Sequence, residues 1–181
     1  MPIIAVSGPH GSGKSTAAKT VSELLNYTYI SAGQLFREMA KEKGMTLEEF
    51  SKRAESNEEI DRYIDNRTLE LAKAENGIIV DAQLGGWILR KVADLIIYIT
   101  APLKTRIQRI AERENRAIEE IKKETLMREE SERHRYQKLY NIDVSDLSIY
   151  DVIINTKKYD AADCVDIVMA SVKKITKGEK E

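Results

Sequence analysis

Gly8-Pro9-His10-Gly11-Ser12-Gly13-Lys14-Ser15 satisfies the pattern G-x-x-x-x-G-K-[ST] at every fixed position. At average residue usage, chance alone produces such a stretch in roughly 0.6% of chains this long. The spacing has a chemical reason. Glycines let the backbone wrap closely enough for several N–H groups to face one phosphate, and the helix that follows adds the positive end of its dipole. Lys14 supplies a point charge to the β- and γ-phosphates, and the Ser15 hydroxyl can ligate Mg²⁺. The context agrees: Ile3–Ser7 before the loop reads as a buried strand, and Lys14–Leu25 after it carries Ala17, Ala18, Val21, Leu24 and Leu25 at helical spacing. The stretch is read as a phosphate cradle. His10 fills a free position of the pattern and reads as a solvent-facing loop residue rather than a catalytic one.

Outward from the loop, four more apolar runs look like strands buried on both faces: residues 27–30, 77–82, Leu95–Thr100 and Val152–Asn155. Charged, periodic segments separate them. Residues 34–74 read as up to three helices, broken near Gly44-Met45 and again near Ser56-Asn57, with Thr46 and Glu49 spaced as a capping box. Leu103–Glu114, 118–139 and 161–176 are further helices, the last carrying Cys164 as a small core residue. Strand–helix alternation of this kind implies a parallel sheet with helices on both faces, and no repeat or Gly/Ser-rich linker divides the chain. The expected fold is α/β, one domain over residues 1–181.

Composition narrows the function. The 181 residues carry 29 basic and 30 acidic side chains, net −1, which excludes a basic nucleic-acid coat. One cysteine rules out an internal disulfide and a cysteine-rich zinc site. The longest apolar run, 95–99, is far short of a membrane span, and the first residues have neither the basic start nor the long apolar core expected of a signal peptide. The chain is expected to be cytoplasmic, without membrane or nucleic-acid partners. No apolar seam points to an oligomer, so a monomer is expected.

Asp81 ends the third apolar run, where a parallel strand beside the loop strand would bring it to a phosphate-bound Mg²⁺, through a water, and this reading is favoured over a strand-end Asp that caps the turn over 83–86. Seven of the twelve arginines fall within residues 106–135, where uniform placement would give two. Eight glutamates and two lysines share that window, so its net charge is only +1. Helical spacing puts Arg106, Arg109 and Arg113 on one face, and Arg128, Glu132 and Arg135 on another. Such groups are either salt-bridged surface or a convergent set that stabilises a phosphoryl group in transfer. Arg37 lies one helical turn beyond Ser31-Ala32-Gly33, near the end of the second strand, and offers a phosphate fork. Asp61, Asp65 and Arg67 either form an exposed helix face or reach an acceptor's base or sugar.

Together these pieces resemble the P-loop nucleoside monophosphate kinases, most closely the archaeal-type cytidylate kinases. The matching stretches are the glycine loop, Ser31-Ala32-Gly33-Gln34-Leu35-Phe36-Arg37-Glu38, Asp81-Ala82-Gln83-Leu84-Gly85-Gly86-Trp87, Ala101-Pro102-Leu103, the run from Arg128 to Tyr136, and the run from Ser148 to Thr156. The resemblance implies a three-layer α/β/α kinase fold with a five-stranded parallel sheet. It implies a core (1–33, 75–105, 140–181), a helical monophosphate-binding insertion (34–74) and a helical lid (106–139). Residues Gly8, Pro9, His10, Gly11, Ser12, Gly13, Lys14, Ser15 and Thr16 would hold ATP. Ser31, Gly33, Arg37, Asp61, Asp65, Gln83 and Glu132 would contact the monophosphate, and Ser15 and Asp81 the Mg²⁺. Lys14, Arg106, Arg109, Arg128 and Arg135 would be catalytic, and the turn after Asn155 would lie near the adenine. The implied reaction is transfer of the ATP γ-phosphate to CMP or dCMP.

Related cytidylate kinases commonly carry an acidic residue, Gly and Arg where this chain has Asp81-Ala82-Gln83. Gln83 hydrogen-bonds but cannot neutralise a phosphate, so the acceptor pocket has one cation fewer. Two other readings share the loop: a small P-loop kinase for AMP, another nucleotide or a metabolite, and an NTP-hydrolysing switch. The second lacks the guanine-reading Asn-Lys-x-Asp segment; Asn155-Thr156-Lys157-Lys158 does not match it.

Overall fold

Continuous apolar runs make strands that can be covered on both sides, and five of them form one parallel sheet in this computed structural model, which describes residues 1–177. The strands are β1 (Ile3–Ser7), β2 (Thr28–Ser31), β3 (Ile78–Asp81), β4 (Leu95–Thr100) and β5 (Val152–Asn155), in the order β2-β3-β1-β4-β5. The helices are α1 (Lys14–Leu25), α2 (Ala32–Glu42), α3 (Leu47–Ser56), α4 (Glu58–Ala74), α5 (Gly85–Leu89), α6 (Leu103–Glu114), α7 (Ile118–Tyr140) and α8 (Ala161–Lys177).

Alternate residues of the strands feed two cores. Ile4, Val6, Ile79, Ile97 and Ile154 face Val21 of α1 and Val168 of α8. Ala5, Ile78, Val80 and Ile96 face Ala72 of α4 and Leu89 of α5. Helices on both faces of a parallel sheet are the three-layer α/β/α arrangement expected from the alternation.

Two smaller clusters sit beyond the sheet. In α2–α4, Phe36 and Phe50 meet edge to face at 4.8 Å, over Ala40, Ala54, Ile60 and Ile64. The α6–α7 pair closes on Ile107, Ile110, Ala111 and Ile121. Breaks between helices fall where the sequence places them. Thr46 and Glu49 form a complete capping box at the start of α3, and Asn57 caps α4 by accepting from the Glu59 amide. Asn115 and Asn141 take left-handed backbone at the ends of α6 and α7.

Some details differ from the expectation. Strand β2 runs Thr28–Ser31 rather than 27–30, and β3 runs Ile78–Asp81 rather than 77–82. Helix α2 starts at Ala32 rather than 34 because Ser31 caps it, accepting from the Gln34 amide at 3.3 Å. Where a turn over 83–86 is expected, the helix α5 forms over Gly85–Leu89. A five-residue helix is too short to show a period, and two adjacent glycines argue against one. Here Gly86 is required by proximity: a Cβ on it would lie 2.7 Å from the Tyr150 ring and 2.8 Å from Ile96, whereas one on Gly85 would make ordinary contacts at 3.4 Å. Its amide donates to the Ser7 hydroxyl at 2.9 Å.

Candidate active site

The glycine loop follows the C-terminal end of the central strand β1, and the conformation of two glycines is obligatory. Gly8 has φ +147° and a Cβ there would lie 2.0 Å from the Ile99 carbonyl oxygen; Gly11 has φ +75° and a Cβ would meet the Arg106 carbonyl oxygen at 2.6 Å. The loop's carbonyls are tied to its outer side. Arg106 donates from Nη1 to the His10 carbonyl at 2.9 Å and from Nε to the Ala101 carbonyl at 3.2 Å, and is ion-paired with Glu129. Thr156 donates from Oγ1 to the Ser12 carbonyl at 2.9 Å, while Arg109 donates to Thr156 Oγ1 at 2.8 Å and to its carbonyl at 2.9 Å. With carbonyls held outward, the first amides of α1, which lack intrahelical partners, are available to an anion.

A cavity of about 300 Å³ opens beside the loop, lined by Lys14 and Ser15, by Ser31, Gly33 and Arg37 from β2–α2, and by Asp81 and Gln83 after β3. Helix α4 contributes Asp61 and Asp65, and α7 contributes Arg128, Glu132 and Arg135. Among the described residues, neither Lys14 nor Arg37 makes a hydrogen bond or an ion pair. Burial pushes the Lys14 ammonium below its usual range, with Asp81 and Glu132 opposing the shift and Arg128 and Arg37 adding to it. A positive group under that pressure is relieved by an incoming anion.

Asp81 is buried at the end of β3, in register with Ser31. Its Oδ2 accepts from the Tyr29 hydroxyl at 2.9 Å and from Ser31 Oγ at 3.5 Å, while Oδ1 has no partner. A carboxylate oxygen buried without a donor among the described residues, in the cavity that Ser15 also lines, is a donor set that suits a hard divalent cation. Tyr29 was not anticipated; it lies two residues before Ser31 on the same side of the strand, which is the available signal.

Helix α7 presents all three predicted side chains of its inner face, Arg128, Glu132 and Arg135, each held. Arg128 donates from Nε to Glu132 Oε1 at 3.1 Å, and its terminal nitrogens have no partner among the described residues. Arg135 donates from Nε to Asp61 Oδ2 at 2.8 Å and from Nη1 to the Ser131 hydroxyl at 2.9 Å. Burial would raise the Glu132 carboxyl, but His10, Arg128 and Arg135 around it hold it down to about 2. Asp65 has no arginine of its own. Its Oδ2 accepts from the Tyr140 hydroxyl at 2.7 Å, and burial pushes its carboxyl up to about 6. Asp61 and Asp65 are thus not an exposed helix face. Both are turned into the cavity.

Two expectations are corrected. His10 does not face solvent: its Nε2 lies 2.8 Å from Glu132 Oε2 and 3.1 Å from Oε1, and the ring is 19% exposed. Arg106 and Arg109 do not join the cavity's cations, because the face they share is turned onto the backbone carbonyls of the loop. Arg113, on the same face, reaches the cavity's edge but is exposed and paired with Glu114. Within the loop itself, Ser12 is buried with an unpartnered hydroxyl, and Thr16 is exposed on the first turn of α1.

A parallel sheet in this strand order, with a glycine-and-lysine loop at the end of its central strand, defines the class of P-loop kinases. Solved structures agree on the fold. An uncharacterized protein from Eubacterium ventriosum superposes with a TM-score of 0.70 at 20% identity, covering 96% of this chain and 99% of that one. Shikimate kinase from Acinetobacter baumannii superposes at 0.61 with 16% identity, covering 100% and 96%. Sequence comparison is more specific. Residues 3–158 match the model of the cytidylate kinase-like family. The cytidylate kinase of Archaeoglobus fulgidus is 46% identical over 179 residues, 98% of this chain and 99% of that protein. Those of Haloarcula marismortui and Sulfurisphaera tokodaii are 42% and 44% identical over 94% and 93% of this chain, and 88% and 93% of their own lengths. The chain belongs to the cytidylate kinase-like family.

Proposed function

We propose that this chain transfers the γ-phosphate of ATP to CMP, and to dCMP, giving ADP and CDP or dCDP. The observation that carries the reading is two unpaired cations, Lys14 on the ATP-loop side and Arg37 on the insertion side, facing one cavity. One phosphate cradle needs one such cation. A second, on a different element, supports a second phosphate-bearing substrate, and the relatives named for cytidylate make CMP the acceptor of choice.

In this reading the loop amides from Gly8 to Thr16 and the Lys14 ammonium bind the ATP phosphates. Arg37 grips the acceptor phosphate beside Ser31 and Gly33. The acceptor's phosphate oxygen, already ionised, attacks the γ-phosphorus as the bond to the β-phosphate oxygen breaks, so no strong general base is required. Arg128, with its terminal nitrogens unbonded, neutralises charge on the transferring group. Arg135 and Asp61 close the wall above it. Arg106 and Arg109 act at one remove, by fixing the loop's carbonyls. Asp65, Asp61 and Gln83 face the acceptor's base and sugar. Asp81 Oδ1, directly or through a water, and the Ser15 hydroxyl would hold Mg²⁺, which would supply positive charge to the ATP phosphates.

Residues 34–74 serve as the acceptor-binding insertion and 106–139 as the lid, on the core formed by the remainder. Lid closure would exclude the water that otherwise hydrolyses ATP. The same reading has the enzyme act as a monomer in the cytoplasm without membrane or nucleic-acid partners; no described helix is long and apolar enough to cross a membrane.

The test is the fate of label. With ATP labelled in its γ-phosphate and Mg²⁺, the label should appear in CDP when CMP is supplied, with little inorganic phosphate in its absence. Label released as phosphate at the same rate with and without CMP would contradict the reading.

A further inference from the structure

His10 occupies a position that the glycine-loop pattern leaves free, so cradling a phosphate does not account for it. Among the described residues, its ring nevertheless makes the one side-chain hydrogen bond from the loop to α7: Nε2 reaches both carboxylate oxygens of Glu132, at 2.8 and 3.1 Å. Glu132 Oε1 in turn accepts from Arg128 Nε at 3.1 Å. The His10 backbone is itself pinned, since its carbonyl accepts from Arg106 of α6 at 2.9 Å. Three side chains thus run in series from a fixed loop to a guanidinium whose terminal nitrogens are unbonded. We propose that His10 is a positioning residue for the lid: it holds Glu132, and through Glu132 aims Arg128 at the phosphates bound by the loop.

The chemistry of each link supports this. Glu132 is ionised and acceptor-only, so the imidazole must donate from Nε2. Burial pushes the imidazole below its ordinary range; of the charged groups facing it, Glu132 opposes that shift and Arg128 and Lys14 add to it. An Nε2–H that donates to a carboxylate satisfies both partners. Holding both carboxylate oxygens also constrains what Arg128 can do. A carboxylate released from His10 is free to rotate and take the forked end of the guanidinium, which is its preferred geometry. That would withdraw the nitrogens needed for phosphate. His10 therefore acts against a competing ion pair inside the same site.

The inference rests on the phosphotransfer reading, and two measurements keep their failures apart. The first is kcat and KM for wild type, His10→Ala and His10→Gln, alone and in a Glu132→Gln background. His10→Ala should lower kcat roughly tenfold to a hundredfold, the scale of losing a hydrogen bond to a charged group, with KM for ATP within about threefold. His10→Gln, which keeps an N–H at a similar reach, should recover kcat to within about threefold of wild type. In the Glu132→Gln background, His10→Ala should add little further loss. A His10→Gln enzyme as slow as His10→Ala, a loss confined to KM for ATP, or full additivity with Glu132→Gln would overturn the proposal. The second measurement needs no turnover. The chain has two histidines, so ring-¹⁵N NMR resolves His10 from the exposed His134. His10 should be the Nε2–H tautomer in wild type and lose that bias in Glu132→Gln; mixed tautomers in wild type would overturn the proposal even if CMP proved not to be the acceptor.

Discussion

Among the described residues, no carboxylate lies at ion-pair distance from the Lys14 ammonium or the Arg37 guanidinium, whereas Arg106 and Arg135 each have one; Arg128 is bound to Glu132 through Nε alone, which leaves its terminal nitrogens open. That difference separates residues that wait for a ligand from residues that organise the site. Lys14→Ala should therefore reduce turnover by at least about a hundredfold. Arg37→Ala should raise KM for the acceptor by about tenfold or more, with a much smaller change in KM for ATP. Circular dichroism should show both folded; a folded Lys14→Ala enzyme with near-normal transfer would contradict the assignment.

Asp65 gives a second prediction at this scale. Its carboxyl titrates near 6 in the fold, against 3.8 ordinarily, because burial disfavours the charge. The folded state thus binds the proton more tightly than the unfolded one, so stability is lost as pH rises through about 6. Asp65→Asn, which can still accept from Tyr140, should be more stable than wild type at pH 8 by roughly 1–3 kcal/mol, and the gain should shrink toward pH 4. Denaturant unfolding at both pH values checks this. A difference that does not change with pH would mean the carboxyl is not buried as charge. Lys14, Arg37 and Asp81 were legible because a motif, a turn or a strand end fixes each. His10, Arg106 and Arg109 were not: spacing tells which residues share a face, but not whether that face meets a substrate or the carbonyls of another loop.

At the scale of elements, α7 carries both the arginine Arg128 and the supports around it. Its inner face meets the loop through Glu132 and α4 through Arg135 and Tyr140. The helix α5 works by backbone proximity instead. Gly86→Ala would drive a methyl group against the Tyr150 ring and Ile96, and should destabilise the protein by about 1–3 kcal/mol. Thermal unfolding reads this out, and an unchanged midpoint would contradict the packing described. Strands and long helices were readable from period and caps. The helix α5 was not, because Gly86 answers to neighbours distant in sequence, and no local pattern encodes them.

For the whole molecule, three groups of elements converge on one cavity: the C-terminal end of the sheet with Lys14, Ser15 and Asp81, helices α2–α4 with Arg37, Asp61 and Asp65, and α7 with Arg128, Glu132 and Arg135. The sheet and its parallel order followed from alternating apolar runs and charged helices. The links between the groups did not, since Asp61–Arg135 and Asp65–Tyr140 join positions 74 and 75 residues apart. In the proposed reading acceptor choice is a property of this assembly, and Gln83 lines the cavity as a neutral residue. The most direct test is ADP formation from ATP and Mg²⁺ with CMP, dCMP, UMP, AMP, GMP or no acceptor. Strong turnover with CMP and dCMP, and little with the others or the blank, is the predicted result; preference for another acceptor, or equal ADP release in every reaction, would contradict the account.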